Sequence, residues 1–165
     1  MSHLRRVQID SPVALFSLRP RVLRSVAPLL VLVALANGCA TTVPSVAPTC
    51  QHQNEAVEQS IGFCQAIRVG DVLYVSGVTG TAPMESAVPR VYEQLRRILE
   101  ANGLTFADVV KETVYAVDLD AFIKVSGARK TFYGSWLPAG TWVQVQRLYL
   151  PSFVVEVELI AHYRK

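Results

Sequence analysis

The sequence lacks the motifs of several large classes of enzymes and cofactor-binding proteins. Its three histidines, His3, His52 and His162, stand far apart and have no metal-ligand spacing. No glycine-rich phosphate loop is present, and no Gly-x-Ser-x-Gly turn occurs. The sequence therefore predicts no metal site and no cofactor, and it gives no support for a serine hydrolase.

Basic residues are also few outside the N-terminal region. The chain has 16 Lys and Arg against 13 Asp and Glu, but five of the basic residues and one acidic residue precede position 39. The remainder carries 11 basic and 12 acidic groups, a net charge of −1. Since no basic patch with interleaved aromatic residues is present, we expect no binding to nucleic acid.

The longest apolar run is too short to span a membrane. Residues 26–36 form a run of 11 residues, whereas a membrane-spanning helix needs about 20. Three arginines precede the run, as in the basic region of a secretory signal. Because Leu35-Ala-Asn-Gly-Cys39 resembles the bacterial lipobox, we predict a lipoprotein-type signal peptide over residues 1–38 and lipidation of Cys39. A cleaved secretory signal and a retained anchor are the alternatives.

The predicted anchor attaches the protein to a membrane of the bacterial cell envelope. Ala40 follows the lipidated residue in place of aspartate, which by resemblance to bacterial sorting rules favours the periplasmic face of the outer membrane. Residues 39–54 are rich in Thr, Ser, Pro and Ala without periodicity, and we predict a flexible tether there. Residues 55–165 are predicted to form one domain.

The two remaining cysteines, Cys50 and Cys64, are candidates for a disulfide. An oxidising periplasm permits the bond, and a flexible tether would let the pair close. The alternative is that Cys64 is a small buried residue and Cys50 a free thiol.

The domain alternates between strand and helix patterns. Gly70-Asp71 between two β-branched runs predicts a hairpin turn, and Asn102-Gly103 predicts the end of a helix. The order ββαβαββ predicts an α+β fold, in which a mixed sheet carries both helices on one face. The predicted strands are residues 62–68, 72–77, 109–117, 142–150 and 154–163, and the predicted helices are residues 85–102 and 121–136.

The last predicted strand has one apolar face and one face with two carboxylates. The odd-numbered residues from 155 to 161 are apolar, whereas Glu156 and Glu158 point to the other side. Unpaired buried carboxylates are strongly disfavoured, so these two must meet water, a partner or a ligand. A further copy of the chain is the simplest cover for this face.

Five segments of the domain carry a resemblance to one family. They are Tyr74-Val-Ser-Gly77, Leu99-Glu-Ala-Asn-Gly103, Asp108-Val-Val-Lys-Glu-Thr-Val-Tyr115, Asp118-Leu-Asp-Ala-Phe122 and Val155-Glu-Val-Glu-Leu-Ile-Ala161. In this order they resemble the Rid family of reactive intermediate deaminases. The resemblance implies a chorismate-mutase-like fold and a homotrimer with small-molecule sites in the clefts between subunits. Many members of that family hydrolyse imines and enamines.

The resemblance also assigns roles to residues of the predicted cleft. Glu156 matches the glutamate that holds the attacking water, and Ser76-Gly77 matches a turn whose backbone donors complete the site. In the family, an arginine binds the carboxylate of the substrate. The other predicted cleft residues are Phe63, Ser126, Gly140, Thr141 and Trp142.

Several of these cleft positions depart from the family pattern. Gly140 stands where the carboxylate-binding arginine belongs, and Phe63 replaces a tyrosine. Ser126 replaces an asparagine, and Trp142 replaces a small residue, either as a core residue or by stacking on a ligand. Arg147 follows Gly140 by seven positions, so an unbroken strand would place it on the opposite face.

Three functions are compatible with this pattern. The first is an envelope lipoprotein with a degenerate site that binds a small metabolite. The second is an active imine or enamine deaminase with an altered substrate, in which Glu156 is the catalytic residue. The third is a trimeric scaffold of the envelope.

Overall fold

The computed structural model describes residues 47–164. The predicted signal peptide and Cys39 lie outside these residues, so both assignments stay predictions. Within the described part of the chain, no helix is both long enough and apolar enough to cross a membrane.

Strands and helices alternate along the described residues, which also contain one short 3-10 helix at Phe106–Asp108. The strands are β1 (Thr49–Gln51), β2 (Ala66–Val69), β3 (Val72–Thr81), β4 (Val109–Ala116), β5 (Ala139–Gln144) and β6 (Phe153–His162). The helices are α1 (Glu55–Ile61), α2 (Met84–Ala101), α3 (Leu119–Val125) and α4 (Gly127–Tyr133).

All described strands join one sheet in the order β1-β2-β3-β6-β4-β5. The pair β4–β5 is parallel, and the other neighbours are antiparallel. This confirms the predicted mixed sheet. Strand β6 lies at its centre, hydrogen-bonded to β3 on one side and β4 on the other.

The helices α2, α3 and α4 form a layer on one face of the sheet. The apolar stripe of α2 is buried, including Val88, Val91 and Leu95. Gly80 on β3 permits this close packing, because a Cβ atom there would lie 2.9 Å from Ala87 Cβ and from Val91 Cγ2. The predicted α+β arrangement is therefore confirmed.

Strand β6 alternates as predicted. Val155, Val157 and Leu159 are at most 1% exposed and face the helix layer. Glu156 and Glu158 lie half-buried on the opposite face of the sheet. Strand β6 therefore carries its carboxylates on the face without the α2 layer.

The N-terminal part of the domain differs from the prediction. Residues 49–51 were predicted as tether but form β1, which pairs with β2. The predicted strand over residues 62–68 is wrong at its start, because β2 begins only at Ala66. The hairpin is confirmed, since Val69 pairs with Val72 across Gly70-Asp71 and Gly70 has a φ of 58°.

Two boundaries in the second half also differ. The predicted helix over residues 121–136 is interrupted at Ser126 and ends at Tyr133, where Gly134 takes a φ of 60°. The predicted strand over residues 142–150 is displaced, because β5 ends at Gln144. Residues 145–152 form a loop, so Arg147 is not in an unbroken strand.

A fully buried carboxylate, Glu112 on β4, lies between the sheet and the helices. The hydroxyls of Tyr92 and Tyr133 each donate to it at 2.8 Å, and the indole N–H of Trp142 donates at 3.1 Å. The guanidinium of Arg129 pairs with the same carboxylate at 2.9 Å. Burial and then the charge of Glu112 raise the pKa of both tyrosines, so their hydroxyls remain donors.

We predict that this network makes Glu112 a large contributor to stability. Glu112→Ala should lower the free energy of unfolding by about 3–5 kcal/mol, because it leaves the largely buried Arg129 side chain, 11% exposed, without its partner. Urea unfolding followed by circular dichroism measures this. The control is Glu93→Ala, which removes a solvent-exposed pair with Arg96 and should lower the free energy of unfolding far less, because water screens such a pair. Equal losses for the two variants would contradict the prediction.

Candidate functional site

A cavity of about 520 Å³ opens on the sheet face that carries Glu156. Four residues of the predicted cleft line it, namely Phe63, Ser76, Gly77 and Glu156. The structure therefore brings these four together within one chain. The remaining lining residues are Val57, Ile61, Thr79, Tyr149, Leu150 and Phe153.

A β-bulge in β3 shapes the floor of this cavity. The pairing with β6 shifts between Val75 and Val78, so Ser76 and Gly77 lie in the irregular segment. The hydroxyl of Ser76 donates to the carbonyl of Cys64 at 2.7 Å and fixes the segment to the chain before β2. A Cβ atom at Gly77 would lie 1.9 Å from Glu156 Oε1, so only glycine leaves room for this carboxylate.

The electrostatic surroundings of Glu156 favour proton uptake. Burial raises the pKa of Glu156 above its usual range, and the negative charge of Glu158 adds to the effect. The hydroxyl of Tyr115 donates to Glu158 Oε1 at 3.2 Å. A carboxyl with a raised pKa beside a cavity accepts a proton more readily than an ordinary carboxyl, as a general base must.

Helix α1 forms one wall of the cavity through Val57 and Ile61 and is held by a buried carboxylate, Glu58, which is 2% exposed. Its Oε1 atom accepts from the backbone N–H of Gln53 at 2.7 Å and of Asn54 at 2.8 Å. Its Oε2 atom accepts from the backbone N–H of Gln65 at 2.9 Å. The Glu58 carboxylate thus fixes α1 to the chain segments that precede and follow this helix.

These contacts also set the protonation of Glu58. Burial alone would raise the pKa of Glu58, but the hydrogen bonds from Asn54, His52, Gln65 and Gln53 outweigh it and lower the pKa to about 2. Glu58 is therefore ionised throughout the neutral and mildly acidic range.

A disulfide closes the same region. Cys50 on β1 and Cys64 before β2 are covalently joined, with their Cα atoms 6.0 Å apart. This is the predicted pairing. The bond encloses α1 within a covalent loop.

The other predicted cleft residues lie elsewhere. Gly140 and Trp142 line a separate hollow with Arg129, and the ring of Trp142 packs edge-on against Phe122. Trp142 therefore serves the core and its hydrogen-bond network, which is the first of the two predicted roles. The hydroxyl of Ser126 donates to the carbonyl of Ile123.

Thr141 lies on the open face but not against the Glu156 cavity. The ammonium of Lys111 donates to its hydroxyl. Within a single chain, the cleft predicted from the resemblance is thus divided between the Glu156 cavity and the Arg129 hollow.

The unbroken strand assumed for Arg147 is wrong, because β5 ends at Gln144. Arg147 nevertheless lies on the face of the sheet opposite to Gly140. Arg147 is exposed in the following loop and lines a shallow groove together with Tyr115, Glu156 and Glu158. Arg147 does not line the Glu156 cavity. The described residues show no ion pair within 4.0 Å between Arg147 and either carboxylate.

Sequence analysis missed the apolar walls of the cavity and both buried carboxylates. For α1 a local signal existed, because Asn54 caps the helix and Val57 and Ile61 follow with helical spacing. For Glu112 the sequence held no such signal, since a glutamate inside a strand usually marks a solvent-facing position.

Comparison with known proteins agrees with this geometry. Residues 53–163 match the family described as endoribonuclease L-PSP. The chain belongs to this family. A RutC family protein of Pyrococcus abyssi is 34% identical over 118 residues, which cover 66% of this chain and 92% of that protein. The 2-iminobutanoate/2-iminopropanoate deaminase of Escherichia coli is 31% identical over 111 residues, covering 60% and 85%.

A solved structure shows the same family fold. A Mycobacterium tuberculosis member of the YjgF/YER057c/UK114 family superposes with a TM-score of 0.65 at 26% identity. The match covers 70% of this chain and 99% of that one. The predicted chorismate-mutase-like α+β fold of the Rid family is therefore confirmed.

We predict that Glu58 makes the stability of the domain sensitive to acid. Its pKa is about 2 in the folded chain and near 4.5 when unperturbed, so its contribution is complete above about pH 4.5. That contribution falls as the pH drops toward 2. Melting temperatures of the wild type and Glu58→Gln between pH 7 and pH 2 should converge at the acid end.

Glu55→Gln is the matched control for this measurement. Glu55 lies on the same helix, is exposed and accepts only from Gln59 at 2.9 Å among the contacts described. Its variant should follow the wild type at every pH. A constant difference between Glu58→Gln and the wild type from pH 7 to pH 2 would contradict the prediction.

Proposed function

We propose that this member of the family binds a small neutral or apolar molecule in the Glu156 cavity. The observation that carries the proposal is the lining of that cavity. Six of the ten lining residues have apolar or aromatic side chains, and the only charged side chain among the ten is Glu156. None of the ten lining residues offers a cationic side chain for a charge-assisted hydrogen bond to an anion.

The size and polarity of the cavity support a ligand of metabolite size. A volume of about 520 Å³ falls within the usual range for small-molecule pockets, about 300–1,000 Å³. Apolar walls from Val57, Ile61 and Leu150 would bury the body of the ligand. Ser76, Thr79 and Glu156 would supply a few polar contacts that fix its orientation.

A second candidate function is the hydrolysis of a C=N bond in a substrate without a carboxylate. Two observations favour it, namely the raised pKa of Glu156 and the room that Gly77 leaves for its carboxylate. In this function Glu156 holds and deprotonates the attacking water, then returns the proton to the leaving nitrogen. The Escherichia coli relative is named for the hydrolysis of imino acids.

We further infer that the chain assembles as a homotrimer, as the resemblance to the Rid family implies. The open sheet face supports an additional copy, because Ile67 and Tyr74 on it are 37% and 48% exposed. A neighbouring subunit would also cover the exposed side of the Glu156 cavity. A molecular mass of three chains in sedimentation equilibrium would support this assembly, and the mass of one chain would contradict it.

We also propose that Cys39 carries a lipid anchor at the periplasmic face of the outer membrane. The sequence around Cys39 and the presence of Ala40 support this location. A trimer with three lipid chains would be held firmly, whereas one chain binds only marginally. Cys39→Ser should release the protein from the membrane fraction, and membrane association that survives this change would contradict the anchor.

The proposed binding function is tested by a matched pair of ligands, 2-oxobutanoate and its neutral amide. The amide should bind at least about tenfold more tightly, because the acid meets the Glu156 carboxylate without a cation to offset it. Nuclear magnetic resonance titration of the labelled protein, with Ser76 and Gly77 as reporters, measures both affinities. Tighter binding of the acid would overturn the proposal.

Two variants and one assay complete this test. Gly77→Ala should abolish binding of the amide, since its Cβ displaces the Glu156 carboxylate, whereas Gly127→Ala has open space and should bind normally. With 2-iminobutanoate the wild type should be at least about tenfold slower in kcat/KM than the Escherichia coli deaminase. Equal rates, abolished by Glu156→Gln, would overturn the proposal and would instead show an imino acid deaminase that uses Glu156 without an arginine in its own cavity.

A further inference from the structure

We propose that the Cys50–Cys64 disulfide is redox-active, with Cys50 as the attacking sulfur and His52, oriented by Glu58, as the group that activates it. Such a pair would exchange electrons with an external dithiol or disulfide. The proposal does not depend on the function of the Glu156 cavity, because none of these four residues lines that cavity.

The first support is the alignment of three side chains. The ring nitrogen Nε2 of His52 lies 3.1 Å from Cys50 Sγ, and Nδ1 lies 2.6 Å from Glu58 Oε2. A carboxylate at Nδ1 keeps a proton there and turns Nε2 toward the sulfur. The nucleophile Cys50 thus contacts the base His52, and His52 contacts the orienting carboxylate of Glu58. This is the arrangement that activates a thiol.

The second support is the rigidity of the orienting group. Glu58 is 2% exposed and accepts backbone N–H bonds from Gln53, Asn54 and Gln65. The carboxylate therefore cannot swing away from His52. A disulfide with a purely structural role would need no such device beside one of its sulfurs.

The third support is the different setting of the two sulfurs. Cys50 is exposed on the edge strand β1, where a partner can reach it. Cys64 is half-buried, and its Sγ lies 3.0 Å from the carbonyl oxygen of Ala66 and 3.7 Å from that of Gln51. After reduction these carbonyls favour a protonated Cys64 thiol, whereas His52 favours a Cys50 thiolate.

The same asymmetry argues against a metal site at this place. Cys50, His52 and Cys64 bring ligand atoms within 4.8 Å of one another. A metal ion would need both sulfurs as thiolates. The carbonyl oxygens around Cys64 oppose the second thiolate, so thiol–disulfide exchange is the chemistry that the arrangement favours.

The exchange balances as follows. One thiolate of an external dithiol attacks Cys50 Sγ, the Cys50–Cys64 bond breaks, and Cys64 leaves and takes up a proton. The second thiolate of the dithiol then attacks the dithiol sulfur that is bound to Cys50 in the mixed disulfide. Cys50 is thereby released beside His52. The dithiol loses two electrons and two protons, and the protein gains both electrons. Cys64 takes up one proton, and the Cys50–His52 pair takes up the other. The reverse sequence oxidises the protein and reduces an external disulfide.

The test compares the two thiols in otherwise identical reduced proteins. Full-length Cys64→Ser retains Cys50, and Cys50→Ser retains Cys64; each reacts with glutathione disulfide at pH 7 in the presence of a chelator. Peptide mapping by mass spectrometry follows the mixed disulfide at each site and separates it from Cys39. Cys50 should react at least about tenfold faster than Cys64, and adding His52→Ala to Cys64→Ser should remove that advantage.

Two controls keep the result decisive. His162→Ala in the Cys64→Ser background changes an exposed histidine at the end of β6 and should leave the rate unchanged. The reduced wild type, treated with limiting iodoacetamide, should be labelled first at Cys50, which requires no substitution at all. Equal labelling of Cys50 and Cys64 in the folded wild type, or no effect of His52→Ala, would overturn the proposal.

Discussion

The register of strand β6 determines where the chemistry of this protein can occur. The strand is central, and its residues Val155 and Val157 fill the core beneath α2. Their side chains fix Glu156 and Glu158 on the other face, because successive residues of a strand point to opposite sides. A slip of one residue would drive both carboxylates into the core, so the fold and the position of the candidate acid depend on the same pairing. The bulge at Ser76-Gly77 then supplies the space that the half-buried Glu156 carboxylate occupies.

Arg129, the cation beside positions 140 and 142, is committed to another carboxylate. Position 140 pairs with Glu112 and position 142 with Val114 in the parallel ladder, and both of these β4 residues are fully buried. Side chains at 140 and 142 therefore belong to the helix side of the sheet. Arg129 lies there, and its charge is balanced by Glu112 at 2.9 Å. Within a single described chain, no arginine lines the Glu156 cavity, and Arg147 lines only the groove beside it. The proposed preference for an uncharged ligand rests on this lining.

Local periodicity made some parts of this structure predictable and left others beyond reach. Helix α2, strand β6 and the Gly70 hairpin follow from spacing within single segments, and the residues Phe63, Ser76, Gly77 and Glu156 followed from a resemblance to a family. The interruption at Ser126 and the end of β5 at Gln144 carry no clear local signal. The Glu112 network joins five side chains from four separate elements, α2, β4, α4 and β5, so only the folded chain shows it. The seven-residue helix α1 is too short to form alone. It depends on the hydrogen bonds that its own residue Glu58 accepts from neighbouring segments.

The disulfide and the cavity are neighbours, yet their physical linkage is weak. Opening a covalent loop of about 15 residues removes about 3 kcal/mol in the loop-closure description. Helix α1 would still be fixed by three backbone N–H bonds to the ionised Glu58, and bonds to a charged group contribute about 1.5–3 kcal/mol each. Because these bonds do not involve either sulfur, reduction would leave Val57 and Ile61 in the cavity wall. The proposed electron exchange at the sheet edge and the proposed ligand binding at Glu156 are therefore independent of each other.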